Sequence, residues 1–247
     1  MKKILRTAGP AIFWIAVWEA ASLIAGSAIL LPGPADVVKK LVMVREVTFW
    51  RTVGMSLLRT LEAYLIGVIS GGLLAVLCGM SKTADALIRP ALRAVRATPV
   101  VSFIILALVW IGSSGVPVLA GALMVVPVVF SSTREGISST DPLLLEMAKV
   151  FSFGPVKTWT RVILPSAAAA FTAACETCVG LCFKATVAAE VIGIPKNAVG
   201  TNLYSSKIYL ETDSLLAWTF VVILMSLGLE KVMKLTAKKV REHEHYT

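Results

Sequence analysis

Six apolar stretches punctuate the sequence, at 10–31, 56–80, 98–111, 117–132, 167–192 and 215–232, and only short polar segments separate them. About 20 apolar residues span a bilayer as a helix, and inside lipid the backbone must satisfy its own hydrogen bonds. The pattern therefore predicts an all-α polytopic membrane protein with six transmembrane helices. Composition agrees: 57% of residues are hydrophobic and mean hydropathy is +0.81, above the roughly half-apolar make-up of soluble domains. The third and fourth stretches are short and meet at Gly112-Ser113-Ser114-Gly115, so tilt or continuation into polar flanks must supply their length. The opening MKKILRT looks like a signal peptide, but the apolar run continues through Trp14, Trp18 and Glu19 without a clean cleavage site. It reads as an uncleaved first span.

Orientation follows from the basic residues. With both termini in the cytoplasm, most of the 24 Lys and Arg fall inside: Lys2, Lys3 and Arg6; Lys82, Arg89, Arg93 and Arg96; Arg134, Lys149, Lys157 and Arg161; then a C-terminal group from Lys231 to Arg241. This is the expected bias for an inner-membrane protein. The net charge of +9 thus reports topology, since no basic stripe or aromatic platform suits nucleic acid.

Between the fourth and fifth stretches lies EMAKVFSFGPVKTWTRVILP, Glu146 to Pro165, which is apolar on one side yet too short and broken to cross a membrane. Asp141-Pro142 is a strong helix start, and Leu143, Leu144, Met147, Val150 and Phe151 follow at helical spacing. Ser152, Gly154 and Pro155 interrupt that helix, and a second one bearing Lys157 and Arg161 leads to Leu164-Pro165. A helix-turn-helix elbow over 141–163 is predicted. Its apolar side needs a protein partner or a bilayer surface.

The segment resembles the EAA loop of ABC importer permeases. Glu146, Ala148, Ile163, Leu164 and Pro165 match at the family's spacing, while Ser152 stands where the family usually has glycine. Leu31-Pro32-Gly33-Pro34, the Ser-Leu-x-Arg of Ser56 to Arg59, and Ala189-Glu190 are similar to the nitrate/taurine/aliphatic-sulfonate branch. The resemblance implies a single permease domain over 1–247, with a core at 52–235. It also implies a coupling elbow in which Glu146, Met147, Ala148, Ser152 and Gly154 engage an ATPase. Implied partners are ATP-binding-cassette ATPase subunits carrying ATP and Mg, an extracytoplasmic solute-binding protein, and a second permease copy. This chain itself would bind no cofactor. The expected solute is nitrate, taurine, another sulfonate or a similar small organic compound; members of the branch also carry vitamin precursors.

No G-x-x-x-x-G-K-[ST] loop occurs, so energy must come from a partner. An ion-driven secondary transporter is the alternative class, but paired broken helices in inverted repeats are not visible. Ionisable residues inside apolar stretches are costly and point to function. Glu176, Thr177, Lys184 and Thr186 on the fifth stretch are the candidate pathway residues, against the simpler reading that Glu176 and Lys184 neutralise each other across neighbouring helices. Glu190 reads as wetted near the outer surface, Arg59 as an i, i+3 partner of Glu62, and Glu19 as an internal hydrogen-bonding group. Cys175, Cys178 and Cys182 share a helix face without disulfide geometry and suit packing, as do Gly67 and Gly71, whose spacing also suits a homodimer seam. His243 and His245 sit in a charged tail. A metal site is expected at neither cluster, nor elsewhere. Two outer segments complete the reading: a surface helix over 37–50, and a polar, turn-rich stretch over 193–214.

Overall fold

The computed structural model describes residues 2–244, and among these every regular element is helical. The side chains of 1–8, 11 and 237–247 lie outside the description, and with them those of His243, His245 and the terminal basic groups. In chain order the helices are α1 (Lys2–Ala25), α2 (Pro34–Lys40), α3 (Val47–Met80), α4 (Lys82–Ala97) and α5 (Val100–Ser138). Then follow α6 (Pro142–Val150), α7 (Pro155–Thr158), α8 (Leu164–Gly193), α9 (Val199–Ile208) and α10 (Thr212–Glu244). A 3-10 turn, Leu41–Arg45, follows α2, and a π-helical turn, Trp159–Ile163, joins α7 to α8.

Four helical runs are long and apolar enough to cross a membrane: Val47–Met80, Val100–Ser138, Pro155–Gly193 and Thr212–Thr236. The apolar part of α1 is shorter, Ile12–Ala25. The expected third and fourth spans both lie in α5, and the predicted loop between them shrinks to one residue. Gly112 has φ 65 and ψ 176, a conformation open to glycine, and the chain reverses there. In an unbroken helix Val100 and Pro127 would be about 40 Å apart. Instead Leu92, just before α5, packs on Phe130, and Arg96 and Pro127 line one cleft. The halves of α5 are therefore antiparallel. The second predicted span is also longer than expected, because α2, at the expected surface helix, gives way to the 3-10 turn and α3 starts at Val47.

The second half of α5 is the centre of the bundle, clasped by α3 and α8. Lipid offers no hydrophobic drive between helices, so close packing must hold them. A methyl added at Gly67 would lie 2.5 Å from Val125 Cβ, and one at Gly71 would lie 2.9 Å from the Val126 carbonyl. The Gly67/Gly71 face is thus consumed within one subunit. Cys178 and Cys182 join Ala63, Val125 and Val129 in the same core, which explains their small, polarizable side chains.

The bundle has two distinct ends. One carries α2, α9 and the start of α10, tied by Lys40 to Asp213 at 3.5 Å and by Thr212 Oγ1 donating to the Ile29 carbonyl. Trp18 Nε1 and Ser22 Oγ fasten the proline turn there by donating to the Pro32 and Leu31 carbonyls, while Glu19 stays exposed with its carboxylate against Gly33. The predicted turn-rich stretch includes α9, which packs on α8 and α10.

At the other end Ala84, Ile88 and Leu92 of α4 pack on Ala75, Cys78 and Phe130. Asp85 accepts hydrogen bonds from Arg89 at 2.6 Å and from Arg134 at 3.4 Å. The Arg89 hydrogen bond, ahead of the charges of Arg89 and Arg134, holds the Asp85 carboxyl below the usual carboxylate range despite partial desolvation. A depressed folded pKa stabilises above the unfolded value, about 3.9, and that gain fades as pH falls through the folded value. Asp85→Asn is therefore expected to lower the Tm at pH 7. The gap to the unsubstituted chain should close in acid, and paired melts at the two pH values test it.

Candidate functional site

Asp141 Oδ1 accepts from the Leu143 N–H at 2.8 Å, and Pro142 occupies the first helical position, so α6 starts as its sequence dictates. It ends in a paired carbonyl clasp: the Ser152 N–H donates to the Lys149 carbonyl at 2.9 Å, and the Phe153 N–H to the Ala148 carbonyl at 2.8 Å. This is the Schellman arrangement, which requires a left-handed residue at the turn. Ser152 supplies it with φ 52. A non-glycine residue pays about 1 kcal/mol for that region, so Ser152→Gly is expected to raise stability by about that amount, and Ser152→Val to lower it further. Thermal unfolding of the purified variants reads both.

Gly154 and Pro155 then open α7, and Lys157 Nζ sits 4.1 Å from the centre of the Phe153 ring. The π-helical turn aims Trp159 at the bundle, where a methyl on Gly79 would be 2.7 Å from the indole and 3.2 Å from Ile137. The elbow is wedged between the ends of α3 and α5 by one aromatic ring. Its outward side is apolar: Leu143, Met147, Val150 and Phe151, at i, i+4, i+7 and i+8, form a stripe, with Val150 80% and Phe151 68% exposed. Glu146 is exposed beside that stripe, as are Ser152 and Gly154.

Ala148 differs from the other predicted coupling residues. It is 1% exposed and turned inward, where the others are exposed.

The four candidate pathway residues also divide. Thr177 and Lys184 lie two turns apart on the exposed face of α8, with Ala173 and Ala188. Thr177 opens onto a groove shared with Ser132, Glu135 and Ser139 of α5. Thr186 is fully buried beside Gly121 and Cys182, because the missing side chain at Gly121 leaves room for its hydroxyl. Glu176 is half-buried and outside the exposed row.

Among the described residues, Glu190 is the most heavily hydrogen-bonded side chain, against the expectation that it is wetted near the outer surface. Glu190 is completely buried: Ser56 Oγ lies 2.8 Å from both carboxylate oxygens, Arg59 Nη1 donates at 3.1 Å and the Gly200 N–H at 3.1 Å. Arg59 also donates to the carbonyls of Lys196 at 2.9 Å and Asn197 at 3.2 Å. Arg59 therefore pairs across the bundle with Glu190 and not with Glu62. One available signal was that Arg59 and Glu190, opposite in charge, both stand in the apolar runs, where such residues seek each other.

The family described as "Binding-protein-dependent transport system inner membrane component" matches residues 64–242. A Bacillus subtilis (strain 168) protein provisionally named as the aliphatic sulfonates transport permease SsuC is 26% identical over 236 residues, 94% of this chain and 84% of that one. The taurine transport system permease protein TauC of Escherichia coli (strain K12) is 25% identical over 221 residues, covering 86% of this chain and 80% of its own. Among solved structures, an amino acid ABC transporter with histidines is similar at TM-score 0.66 and 23% identity, over 78% of this chain and 94% of that one. A bacterial ABC transporter involved in alginate import gives 0.65 at 15% identity, over 97% and 98%. Both share the fold.

Proposed function

Since the chain belongs to the family of inner membrane components of binding-protein-dependent transport systems, we propose that it imports a small sulfonate, with taurine-like compounds as the solute class. It is the permease subunit of an ABC importer and not an enzyme. The exposed apolar stripe of the elbow is the observation that carries the mechanism. An ATPase subunit holding ATP and Mg docks there, on the cytoplasmic side, and a solute-binding protein delivers at the end bearing α2 and α9. With the fold-back at Gly112 counted as two crossings and α1 as another, the chain crosses six times and both termini are cytoplasmic.

A second copy completes the path. Lys184 lies nine residues, about 14 Å of helix rise, from the end of α8, too deep for its ammonium to face lipid without a cost of several kcal/mol. Its exposed row therefore faces water and the partner copy. There the cation attracts an anionic solute, with Thr177 further along the same face. ATP-driven closure of the ATPases draws the two elbows together, and each Trp159 passes the movement to α3 and α5. Differential contact of the elbow with the two ATPase states shifts the equilibrium between inward- and outward-facing forms.

The reconstituted importer, with its ATPase and binding protein, should take up labelled taurine or an alkanesulfonate only when ATP is supplied. Uptake driven by an ion gradient without ATP would reverse the assignment. Lys184→Met is expected to reduce sulfonate uptake about tenfold, the value of a charge-assisted hydrogen bond, with ATP hydrolysis retained. Unchanged uptake would remove Lys184 from the path.

A further inference from the structure

At the elbow end, α4 and the second half of α5 enclose a cleft of about 470 Å³ into which Arg89, Arg93, Arg96 and Arg134 all open. Its charges are unequally committed. Arg89 and Arg134 share Asp85, whereas Arg93 and Arg96 are exposed and enter no ion pair among the described residues. Among the described residues Glu135 is the one carboxylate lining the cleft, so the surroundings keep a positive excess. Leu92, Pro127 and Phe130 form an apolar side of the cleft, and Ser131 and Ser138 complete its lining. Leu87, also on α4, is an apolar side chain 73% exposed.

We propose that this cleft seats the phosphate of an anionic phospholipid headgroup drawn from the cytoplasmic leaflet. The placement on that leaflet rests on the orientation given above. Guanidinium groups bind phosphate oxygens bidentately, and two of the four are unspent. The level is right: Phe130 packs against Ala75 and Cys78, within two turns of the end of α3, so the cleft lies where the hydrocarbon gives way to headgroups. Basic pockets between helices on the cytoplasmic side are sites of this kind. The apolar wall favours a lipid over a soluble oxyanion such as inorganic phosphate or a sulfonate, because only a lipid brings a glycerol and acyl segment to cover Leu92 and Phe130. Bound there, the lipid would bridge α4 to α5.

The whole importer, in detergent, would be exposed to dihexanoyl phosphatidylglycerol, to the phosphatidylcholine of the same chain length, and to free glycerol 3-phosphate. Native mass spectrometry counts retained lipid and thermal unfolding measures its effect, both without ATP or solute, so the result is independent of whether sulfonates are transported. Phosphatidylglycerol should be retained and should raise the Tm; phosphatidylcholine and glycerol 3-phosphate should not. Arg93→Gln/Arg96→Gln should weaken retention about 25-fold, each cation being worth about a factor of five. Lys39→Gln/Lys207→Gln, the same charge change placed at the opposite end, should leave it intact. Equal retention of the two lipids, an unaffected arginine variant, or an equal thermal shift from glycerol 3-phosphate would each overturn the proposal.

Discussion

Replacing Arg59 with alanine is expected to destabilise the permease by about 3–5 kcal/mol, the cost of leaving one member of a buried ion pair alone. Glu190 has no access to water, and Arg59 is also the donor to the Lys196 and Asn197 carbonyls. Its loss strands a charge and two acceptors together. The site has no slack with which to adjust, since a methyl on Gly200 would lie 2.4 Å from Glu190 Cβ. Ser56 closes the remaining side, accepting from the Val199 N–H at 3.0 Å while it meets the carboxylate. Three helices, α3, α8 and α9, are therefore joined at one carboxylate. Glu190→Gln, which keeps the shape, should cost less than Arg59→Ala. Arg59→Ala/Glu190→Gln should recover part of the loss, because removing both charges is cheaper than stranding one. Thermal unfolding of the four proteins closes the cycle; a double variant as unstable as the sum of the singles would show that the two residues do not act as a unit.

This ion pair also marks how far the sequence could be read. Elements whose signals are local were legible. Asp141-Pro142, the stripe from Leu143 to Phe151 and Gly154-Pro155 all stand where periodicity and turn chemistry put them. The departure at Ser152 was visible as a residue out of place, and its structural meaning is a left-handed backbone held by serine. Pairings between distant segments were not legible. Arg59 and Glu190 are 131 residues apart, and nothing in helical spacing near Arg59 distinguishes that partner from Glu62, three residues away. The same limit applies within α8. Hydropathy marked Thr177 and Thr186 alike as hydroxyls in an apolar run, yet only the vacancy left by Gly121 decides that Thr186 is buried and Thr177 is not. The fold-back at Gly112 was half legible: two short apolar stretches around a Gly-Ser-Ser-Gly joint imply a hairpin, but one glycine in a positive-φ conformation is enough to make it.

The proposed coupling draws on features from both classes, and it gives the other large expected effect. Val150→Asp or Phe151→Asp should weaken association with the ATPase roughly 30- to 1000-fold, the range for truncating or charging a central apolar anchor worth about 2–4 kcal/mol. Both side chains lie on the outward stripe, so neither substitution disturbs the contacts that shape the elbow, and the Tm of the isolated permease should be unchanged. Ala148→Leu provides the contrast. Ala148 faces inward, and the three further carbons of leucine have no room there, so this variant should lose stability and assembly together, at about 1–3 kcal/mol for overpacking. Glu146→Gln, exposed beside the stripe, should reduce assembly with little change in Tm. Co-purification of the ATPase and ATP-driven uptake, set against the Tm of each variant, separate the two kinds of residue. An ATPase that co-purifies in full with Phe151→Asp, with uptake intact, would mean that the exposed stripe is not where ATP-driven movement enters the permease.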